Sequence, residues 1–257
     1  MYPIDLSGKK GIVFGVANDR SIAWAISKVL SDAGAQLAFT YQNDRLRDRV
    51  VKLADTLNDS ITLECDASND EQIADVFKTI KTEFGEISFL VHSIAFANRD
   101  DLQGNFSDTG REGFRLALEI SAFSLLPLVK HAAPLMSDGG SVLTMTFDAS
   151  QKVYPGYNVM GTAKAALEHE VRQLASEFGD SKIRVNAISA GPLDTLAARG
   201  ISGFLDMKKI HADKAPLNRN ITAEEVAKTA LFLCSDMSSG ITGTIIPVDA
   251  GYHIMAI

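Results

Sequence analysis

The sequence has little of what marks a secreted, membrane-embedded or nucleic-acid-binding protein. Its 257 residues include only two cysteines, and acidic residues outnumber basic ones by 32 to 25. A formal net charge of −7 disfavours nucleic acid and anionic lipid as main partners. Cys65 and Cys234 lie far apart inside apolar segments without metal-ligand spacing. Buried free thiols in a reducing cytoplasm are therefore expected, and no metal site is predicted.

Two further absences concern targeting. The opening residues, MYPIDLSGKK, reach two lysines before any apolar run, so no signal peptide is expected. No apolar run approaches the ~20 residues that span a bilayer. Hydrophobic residues make up 46% of the chain and charged residues 22%, which is the balance of an ordinary globular protein. A cytoplasmic protein that does not enter a membrane is the expectation.

What the sequence does contain is an alternation of short apolar runs with longer amphipathic segments. Strands are predicted at 11–16, 36–41, 61–65, 87–94, 141–145, 183–189 and 244–248. Helices are predicted at 21–33, 44–57, 69–84, 110–136, 157–178 and 222–235, the third opening with an Asn69–Gln72 capping box. No linker or repeat divides the chain. Residues 1–257 are therefore predicted to form one α/β domain of the doubly wound Rossmann type, with a parallel sheet of about seven strands.

The first strand is followed by a candidate phosphate-binding loop, GVANDRSIAWA (15–25). In a dinucleotide-binding fold the pyrophosphate lies here, at the N-terminus of the next helix. Gly15 permits a tight turn, Ser21 can cap the helix and reach a phosphate, and Ala23 allows close packing. The usual glycines of G-x-G-x-x-G are missing, so an ordinary capped strand–turn–helix fits this loop equally well.

The ends of the second and third strands indicate which dinucleotide would bind. Gln42 and Asn43 occupy the turn where an acid takes the ribose hydroxyls or an arginine takes a 2′-phosphate. An uncharged amide binds a hydroxyl but does little for a phosphate dianion, so NADH is predicted over NADPH unless Arg45 folds back. Asp66, after the third strand, can either accept from the adenine amino group or cap the following helix.

A tyrosine and a lysine form the candidate catalytic pair. Tyr157 and Lys164 are almost two helical turns apart, so both project from one helix face. The lysine can bind the nicotinamide ribose and lower the pKa of the tyrosine, and the phenol can donate to an oxyanion. Tyr154 lies before a Pro-Gly turn and out of line with the lysine, so it is interpreted as a loop residue. His92, in an apolar strand, is interpreted as a core histidine.

With these residues the sequence resembles the short-chain dehydrogenase/reductase superfamily and, within it, the divergent NADH-dependent enoyl-acyl-carrier-protein reductases. Classical members have Y-x-x-x-K and G-x-x-x-G-x-G, whereas this chain has a Tyr–Lys spacing of seven (157–164) and G-x5-S-x-A (15–23), as the enoyl reductases do. The resemblance covers essentially the whole chain. It includes QLAFTYQND (36–44), VHSIAFA (91–97), YNVMGTAKAALE (157–168), RVNAISAGP (184–192), FLCSDMSSGITG (232–243) and VDAGY (248–252).

The resemblance implies hydride transfer from NADH to C3 of a trans-2-enoyl thioester on acyl-carrier protein, in fatty acid biosynthesis. It implies that Tyr157 stabilises the enolate and that Lys164 orients the ribose and feeds protons. It assigns cofactor binding to Gly15, Ser21, Ile22, Gln42, Asp66, Ala67, Ile94, Lys164, Leu193, Asp194, Thr195, Leu196 and Ala197. Substrate binding is assigned to Ala97, Phe147 and Tyr157.

The resemblance also implies a homotetramer whose interface could bury the apolar tail 253–257. The segment 193–212 mixes large apolar and small residues, which predicts a mobile helical flap over the acyl chain; a surface helix on the sheet is the plainer interpretation. Two positions depart from many relatives: Phe147 replaces a second tyrosine, and Asp194 stands where an arginine is common.

Three alternatives stay open on the sequence. Another reductase of the superfamily would have the shorter Tyr–Lys spacing and an upstream catalytic serine. A non-catalytic NADH-sensing protein that keeps the fold would bind the cofactor without turnover. Within the enoyl reductases, Tyr154 could supply the hydroxyl that Phe147 lacks.

Overall fold

The predicted alternation is present in a computed structural model, which describes residues 4–196, 198–201 and 203–256. The strands are β1 (Lys10–Phe14), β2 (Gln36–Tyr41), β3 (Ile61–Glu64), β4 (Phe89–His92), β5 (Gly140–Thr146), β6 (Ile183–Ala190) and β7 (Ile245–Val248). The helices are α1 (Ile22–Asp32), α2 (Asp44–Ala54), α3 (Asp70–Glu83), α4 (Arg111–Leu118), α5 (Leu125–Ala132), α6 (Asn158–Glu177), α7 (Phe204–Lys214) and α8 (Ala223–Cys234). All seven predicted strands are confirmed.

The seven strands form one parallel sheet in the order β3-β2-β1-β4-β5-β6-β7. Helices cover both faces: α1 and α8 bury residues such as Ile26 and Leu233 on one side, and α3, α5 and α6 bury Ile73, Leu128 and Val171 on the other. The central strands read as continuous apolar runs because both of their faces are covered. The doubly wound Rossmann-type fold is confirmed.

The segment predicted as one helix at 110–136 is divided in the structure. A π-helical turn at Glu119–Phe123 separates α4 from α5. By length and composition alone Arg111–Leu135 could cross a membrane, contrary to the expectation that no segment would, and 44% of its most apolar window is buried inside the protein. Leu125 and Leu128 are fully buried against the sheet, which is the packing of a core helix.

The predicted capping box of α3 is half correct. Asn69 Oδ1 accepts from the backbone N–H groups of Glu71 and Gln72 at 3.0 and 3.1 Å, so it is the N-cap. Gln72 does not reach back to Asn69. Its Oε1 accepts instead from the backbone N–H of Asp66 at 2.6 Å. This hydrogen bond stabilises the turn that follows β3.

A complete capping box begins α8. The Thr222 hydroxyl accepts from the backbone N–H of Glu225 at 3.2 Å, and the Glu225 carboxylate accepts from the Thr222 N–H at 2.8 Å. Arg219 donates two further hydrogen bonds to this carboxylate, at 2.6 and 2.9 Å. Because α8 covers one face of the sheet with Val226 and Leu233, its start contributes to the stability of the whole domain.

We expect Thr222→Ala to lower the free energy of unfolding by about 1 kcal/mol, because the first turn of α8 loses a side-chain acceptor. Urea unfolding followed by circular dichroism measures the change. Thr79→Ala is the matched control, since the Thr79 hydroxyl bonds only the Asp75 carbonyl one turn back within α3, and a change below about 0.5 kcal/mol is expected there. Equal losses in the two variants would contradict the role of the cap.

Candidate active site

A cleft of about 640 Å³ opens at the carboxyl ends of the strands. It lies over the junction of β1 and β4, where the strand order reverses. Chain segments that leave these two strands diverge to opposite faces of the sheet, so a crevice remains between them. Residues of α6, of the segment after β6 and of α7 also line it.

Most of the predicted cofactor and substrate residues line this cleft. They are Gly15, Ser21, Ile22, Gln42, Asp66, Ala67, Ile94, Ala97, Phe147, Tyr157, Lys164, Leu193, Thr195 and Leu196. Asp194 is exposed and does not line the cleft, and Ala197 lies outside the described residues. The fold thus brings together residues from segments up to about 180 positions apart in the chain.

The turn after β1 requires a glycine. Gly15 has φ +97°, and a Cβ there would lie 2.0 Å from the backbone oxygen of Ser93 at the end of β4. Ser21 caps α1 as predicted: its hydroxyl donates to the Asn18 carbonyl at 2.7 Å and accepts from the Trp24 N–H at 3.3 Å. The N-terminus of α1, with its uncompensated N–H groups, therefore faces the cleft beside a turn that no side chain fills, and this arrangement suits a pyrophosphate.

At the far end of the cleft, two candidate cofactor residues contact each other. Gln42 Nε2 donates to Asp66 Oδ2 at 3.2 Å, and Ser68 donates to Asp66 Oδ1 through its N–H and its hydroxyl. Burial alone would raise the pKa of Asp66, but these hydrogen bonds outweigh it and lower the pKa. Asp66 does not cap α3. Arg45 is exposed and does not line the cleft, so an amide and a carboxylate face this end, which suits ribose and adenine better than a 2′-phosphate.

Tyr157 is the N-cap residue of α6, and Lys164 lies two turns further along the same wall. The Lys164 ammonium donates to the Met145 carbonyl of β5 at 2.8 Å, and burial lowers its pKa to about 8. Burial also raises the pKa of Tyr157 above its usual value. The expectation that the lysine would lower the pKa of Tyr157 is therefore wrong: desolvation dominates, and the phenol stays protonated.

Phe147 forms the wall beside Tyr157. Its ring meets that of Tyr157 edge-on at 5.2 Å between centroids and that of Tyr154 at 4.7 Å on its other side. The Tyr154 hydroxyl donates to Asp148 at 2.9 Å, and Tyr154 does not line the cleft. Tyr154 thus supports the Phe147 ring from behind, and its hydroxyl points toward Asp148, so the geometry speaks against the idea that it replaces a missing tyrosine.

His92 is the satisfied core histidine that the sequence indicated. Its Nδ1 lies 2.8 Å from the Thr144 hydroxyl and its Nε2 lies 2.9 Å from the Ser124 hydroxyl. Since the Ser124 hydroxyl donates to the Ile120 carbonyl at 2.7 Å, it accepts from Nε2–H, and Thr144 donates to Nδ1. Burial, with a smaller effect of the Lys164 charge, lowers the pKa of His92 to about 3, so the ring is neutral.

Several residues of the cleft were not found from the sequence. They include Thr40, Ser93, Phe96, Arg99, Ile120, Met145, Thr146 and Met160. Thr40 and Thr146 had a detectable signal, because each is a polar residue at the carboxyl end of a predicted parallel strand. Ile120 had none, because it reaches the cleft only through the π-helical turn, where Ser121 hydrogen-bonds both backbone groups of Phe96.

The predicted flap is partly helical. Within 193–212 the structure has the first part of α7, which places Phe204 and Met207 over the cleft. On the same helix His211 stacks on Tyr252 at 3.6 Å between ring centroids. The motion of this segment and its role over an acyl chain stay predictions.

The two ends of the cleft differ in chemistry. One end has a helix N-terminus with polar side chains, and the other has apolar walls around Tyr157 and Lys164. Within the described residues, no group of three or more His, Cys, Asp or Glu side chains is arranged to hold a metal ion. Cys65 lines the cleft, but burial raises its pKa to about 12. Its thiol is therefore a poor nucleophile.

Comparisons with known proteins agree with this geometry. The profile of the family described as Enoyl-(Acyl carrier protein) reductase matches residues 15–253. The enoyl-acyl-carrier-protein reductase (NADH) FabI of Bacillus cereus is 52% identical over 252 residues, covering 97% of this chain and 98% of the relative. The Bacillus cereus enoyl-acyl carrier protein reductase, solved with NADP+ and indole naphthyridinone, superposes with a TM-score of 0.96 at 51% identity, over 98% of this chain and 99% of that one. The Anaplasma phagocytophilum enzyme, solved with NAD, superposes with a TM-score of 0.95 at 43% identity, over 98% of this chain and 96% of that one. The chain therefore belongs to the enoyl-(acyl carrier protein) reductase family, a branch of the short-chain dehydrogenase/reductases.

Proposed function

We propose that this chain is an NADH-dependent enoyl-acyl-carrier-protein reductase of fatty acid biosynthesis, which reduces the C2=C3 bond of a trans-2-enoyl thioester. One observation carries the proposal: a partly buried tyrosine and a buried lysine line the apolar end of a cleft whose other end suits a dinucleotide. The high identity to relatives named as NADH enoyl reductases, over nearly the full length of both chains, supports it.

When bound, NADH supplies the hydride that adds to C3 of the substrate. Negative charge then collects on the thioester oxygen, and Tyr157 donates a hydrogen bond to it. Because burial raises the pKa of Tyr157, the phenol keeps its proton and acts as a fixed donor. A donor already in place needs no reorganisation as the charge develops, which is the main source of its effect. Protonation at C2 completes the reduction.

Lys164 has two tasks in this proposal. Its ammonium binds the hydroxyls of the nicotinamide ribose, and its hydrogen bond to the Met145 carbonyl holds it against β5. With a pKa of about 8, it can take up and release a proton near neutral pH, so it can also pass protons toward the cleft.

The apolar walls position the acyl chain and exclude water. Ala97 and Phe147 lie beside Tyr157, and Phe204 and Met207 of α7 also line the cleft. Exclusion of water strengthens the hydrogen bond between Tyr157 and the developing oxyanion. We propose that the segment 193–212 closes over the substrate, and that the carrier protein delivers the thioester to the mouth of the cleft.

Tyr157→Phe should lower kcat by at least about 100-fold, because the oxyanion loses its donor, while the Kd for NADH stays near that of the wild type. Loss of NADH absorbance with a short trans-2-enoyl thioester measures kcat, and fluorescence titration measures Kd. Tyr154→Phe is the matched control and should retain wild-type turnover, since its hydroxyl bonds Asp148 outside the cleft.

Equal and mild effects of the two substitutions would remove Tyr157 from the catalytic role. NADH binding by the wild type without turnover, on several acyl lengths and on acyl-carrier protein, would favour the non-catalytic sensor. Reduction of a 3-ketoacyl thioester in place of the enoyl thioester would favour another reductase of the superfamily.

The cofactor preference is a second test. We expect kcat/KM for NADH to exceed that for NADPH by at least about tenfold, equal to about 1.4 kcal/mol, because the Asp66 carboxylate repels a 2′-phosphate. Gln42→Arg should narrow this ratio by placing a cation on that phosphate. Asn43→Arg is the control, because Asn43 is next to Gln42 in the chain but does not line the cleft. If Arg45→Gln abolishes use of NADPH, Arg45 folds back and the assignment to Gln42 is wrong.

We propose further that the protein is a cytoplasmic homotetramer. Large apolar side chains remain exposed on the single chain, among them Phe123 at 56% and Ile254 at 69%. Their burial between copies would account for them. Light scattering coupled to size-exclusion chromatography should give four times the 27.7 kDa chain mass, and a monomer mass at micromolar concentration would contradict the proposal.

A further inference from the structure

A buried carboxylate lies one helical turn beyond Lys164. Glu168 is four residues further along α6, which puts it on the same helix face. Both side chains are buried, with exposed fractions of 5% for Lys164 and 3% for Glu168. Glu168 does not line the cleft, and nothing in the proposed chemistry so far uses it.

The two side chains form hydrogen bonds with consecutive residues of the same strand. Lys164 Nζ donates to the Met145 carbonyl at 2.8 Å, and the Thr146 hydroxyl donates to Glu168 Oε1 at 2.8 Å. The lysine and the glutamate thus form two adjacent hydrogen bonds between α6 and β5. The Glu168 backbone carbonyl separately accepts from Arg172, and that bond does not depend on the Glu168 side chain.

A buried carboxylate with one hydroxyl as its hydrogen-bond partner is costly unless an opposite charge compensates it. Lys164, one turn back on the same helix face, supplies such a charge: burial lowers the pKa of Lys164, and Glu168 raises it. Within the described part of the chain, the other titratable groups beside Lys164 are the protonated Tyr157 on α6 and the neutral His92 on β4. β5 contributes carbonyl and hydroxyl groups there. Glu168 is therefore the anion that opposes the loss of the lysine's charge.

We propose that Glu168 is a positioning residue for the reductase reaction, which keeps the Lys164 ammonium charged and in place for the nicotinamide ribose. This inference rests on the role proposed for Lys164. Glu168 acts through Lys164 and contacts neither the cofactor nor the substrate. Its position behind the cleft gives this buried carboxylate between α6 and β5 a role.

The test is Glu168→Gln, which keeps an acceptor for the Thr146 hydroxyl and removes the charge. Lys164 should then lose its proton at lower pH. We expect the basic limb of the pH profile of kcat/KM for NADH to move down by about one pH unit, with activity close to that of the wild type near pH 6. The Kd for NADH, measured by fluorescence across the same pH range, should begin to rise at a pH about one unit lower in this variant than in the wild type. Glu168→Asp keeps the negative charge, so the basic limb of its kcat/KM profile should lie at the wild-type pH.

Glu170→Gln is the matched control on the same helix. Glu170 lies two residues further on, on a different helix face, and burial raises its pKa to about 7. It does not line the cleft, so its substitution should leave both pH limbs in place. Circular dichroism and thermal unfolding of each variant establish that the fold is intact.

The outcomes separate this inference from the proposed function. A uniform loss of activity in Glu168→Gln, with both limbs at their wild-type pH, would show a structural role only and overturn the inference while the reductase stands. A wild type that binds NADH but reduces no enoyl thioester would end the proposed function, and the pH dependence of Kd would still decide the role of Glu168. A wild type that binds no NADH at any pH would overturn both.

Discussion

The segments that leave β1 and β4 turn to opposite faces of the sheet, and the crevice that this divergence creates is the constraint on which the site depends. It places the N-terminus of α1 at one end and the N-terminal half of α6 at the other. The two strands also approach so closely that a Cβ on Gly15 would meet the backbone of Ser93. The parallel pairing of β1 with β4 therefore determines where a dinucleotide can lie, and it requires a glycine in the turn after β1.

Burial then shifts the pKa of four titratable groups in and around the cleft. It raises the pKa of Tyr157 and of the Cys65 thiol, and it lowers the pKa of Lys164 and His92. All four shifts favour the neutral form, as expected for a site with little access to water. A tyrosine that stays protonated is a hydrogen-bond donor, so the desolvation that makes it a weak acid also makes it a dependable donor to an oxyanion. The ammonium, by contrast, has to be kept charged, and the carboxylate of Glu168 lies where it can do that.

Apolar packing supports the catalytic end from behind. Phe147 touches Tyr157 on one side and Tyr154 on the other, and α7 places His211 against Tyr252 near the C-terminus. His211 also stacks on Phe147 at 6.3 Å between ring centroids, so Phe147, the predicted flap and the C-terminal turn are in contact through aromatic rings. A change in any one of them alters the shape that the others can adopt, because a close-packed contact has little free volume.

The sequence by itself determined the seven strands, the doubly wound fold and the position of the Tyr157–Lys164 pair, because apolar periodicity and helix-face spacing are local properties of the chain. It also indicated Ser21 and Asn69 as helix caps. Only the tertiary structure decided that Gln72 bonds the turn after β3 instead of its own cap, that a π-helical turn divides the segment after β4, and that burial raises the pKa of the tyrosine. Each of these depends on a group brought close from another element or on the exclusion of water, and neither has a signature within a short stretch of residues.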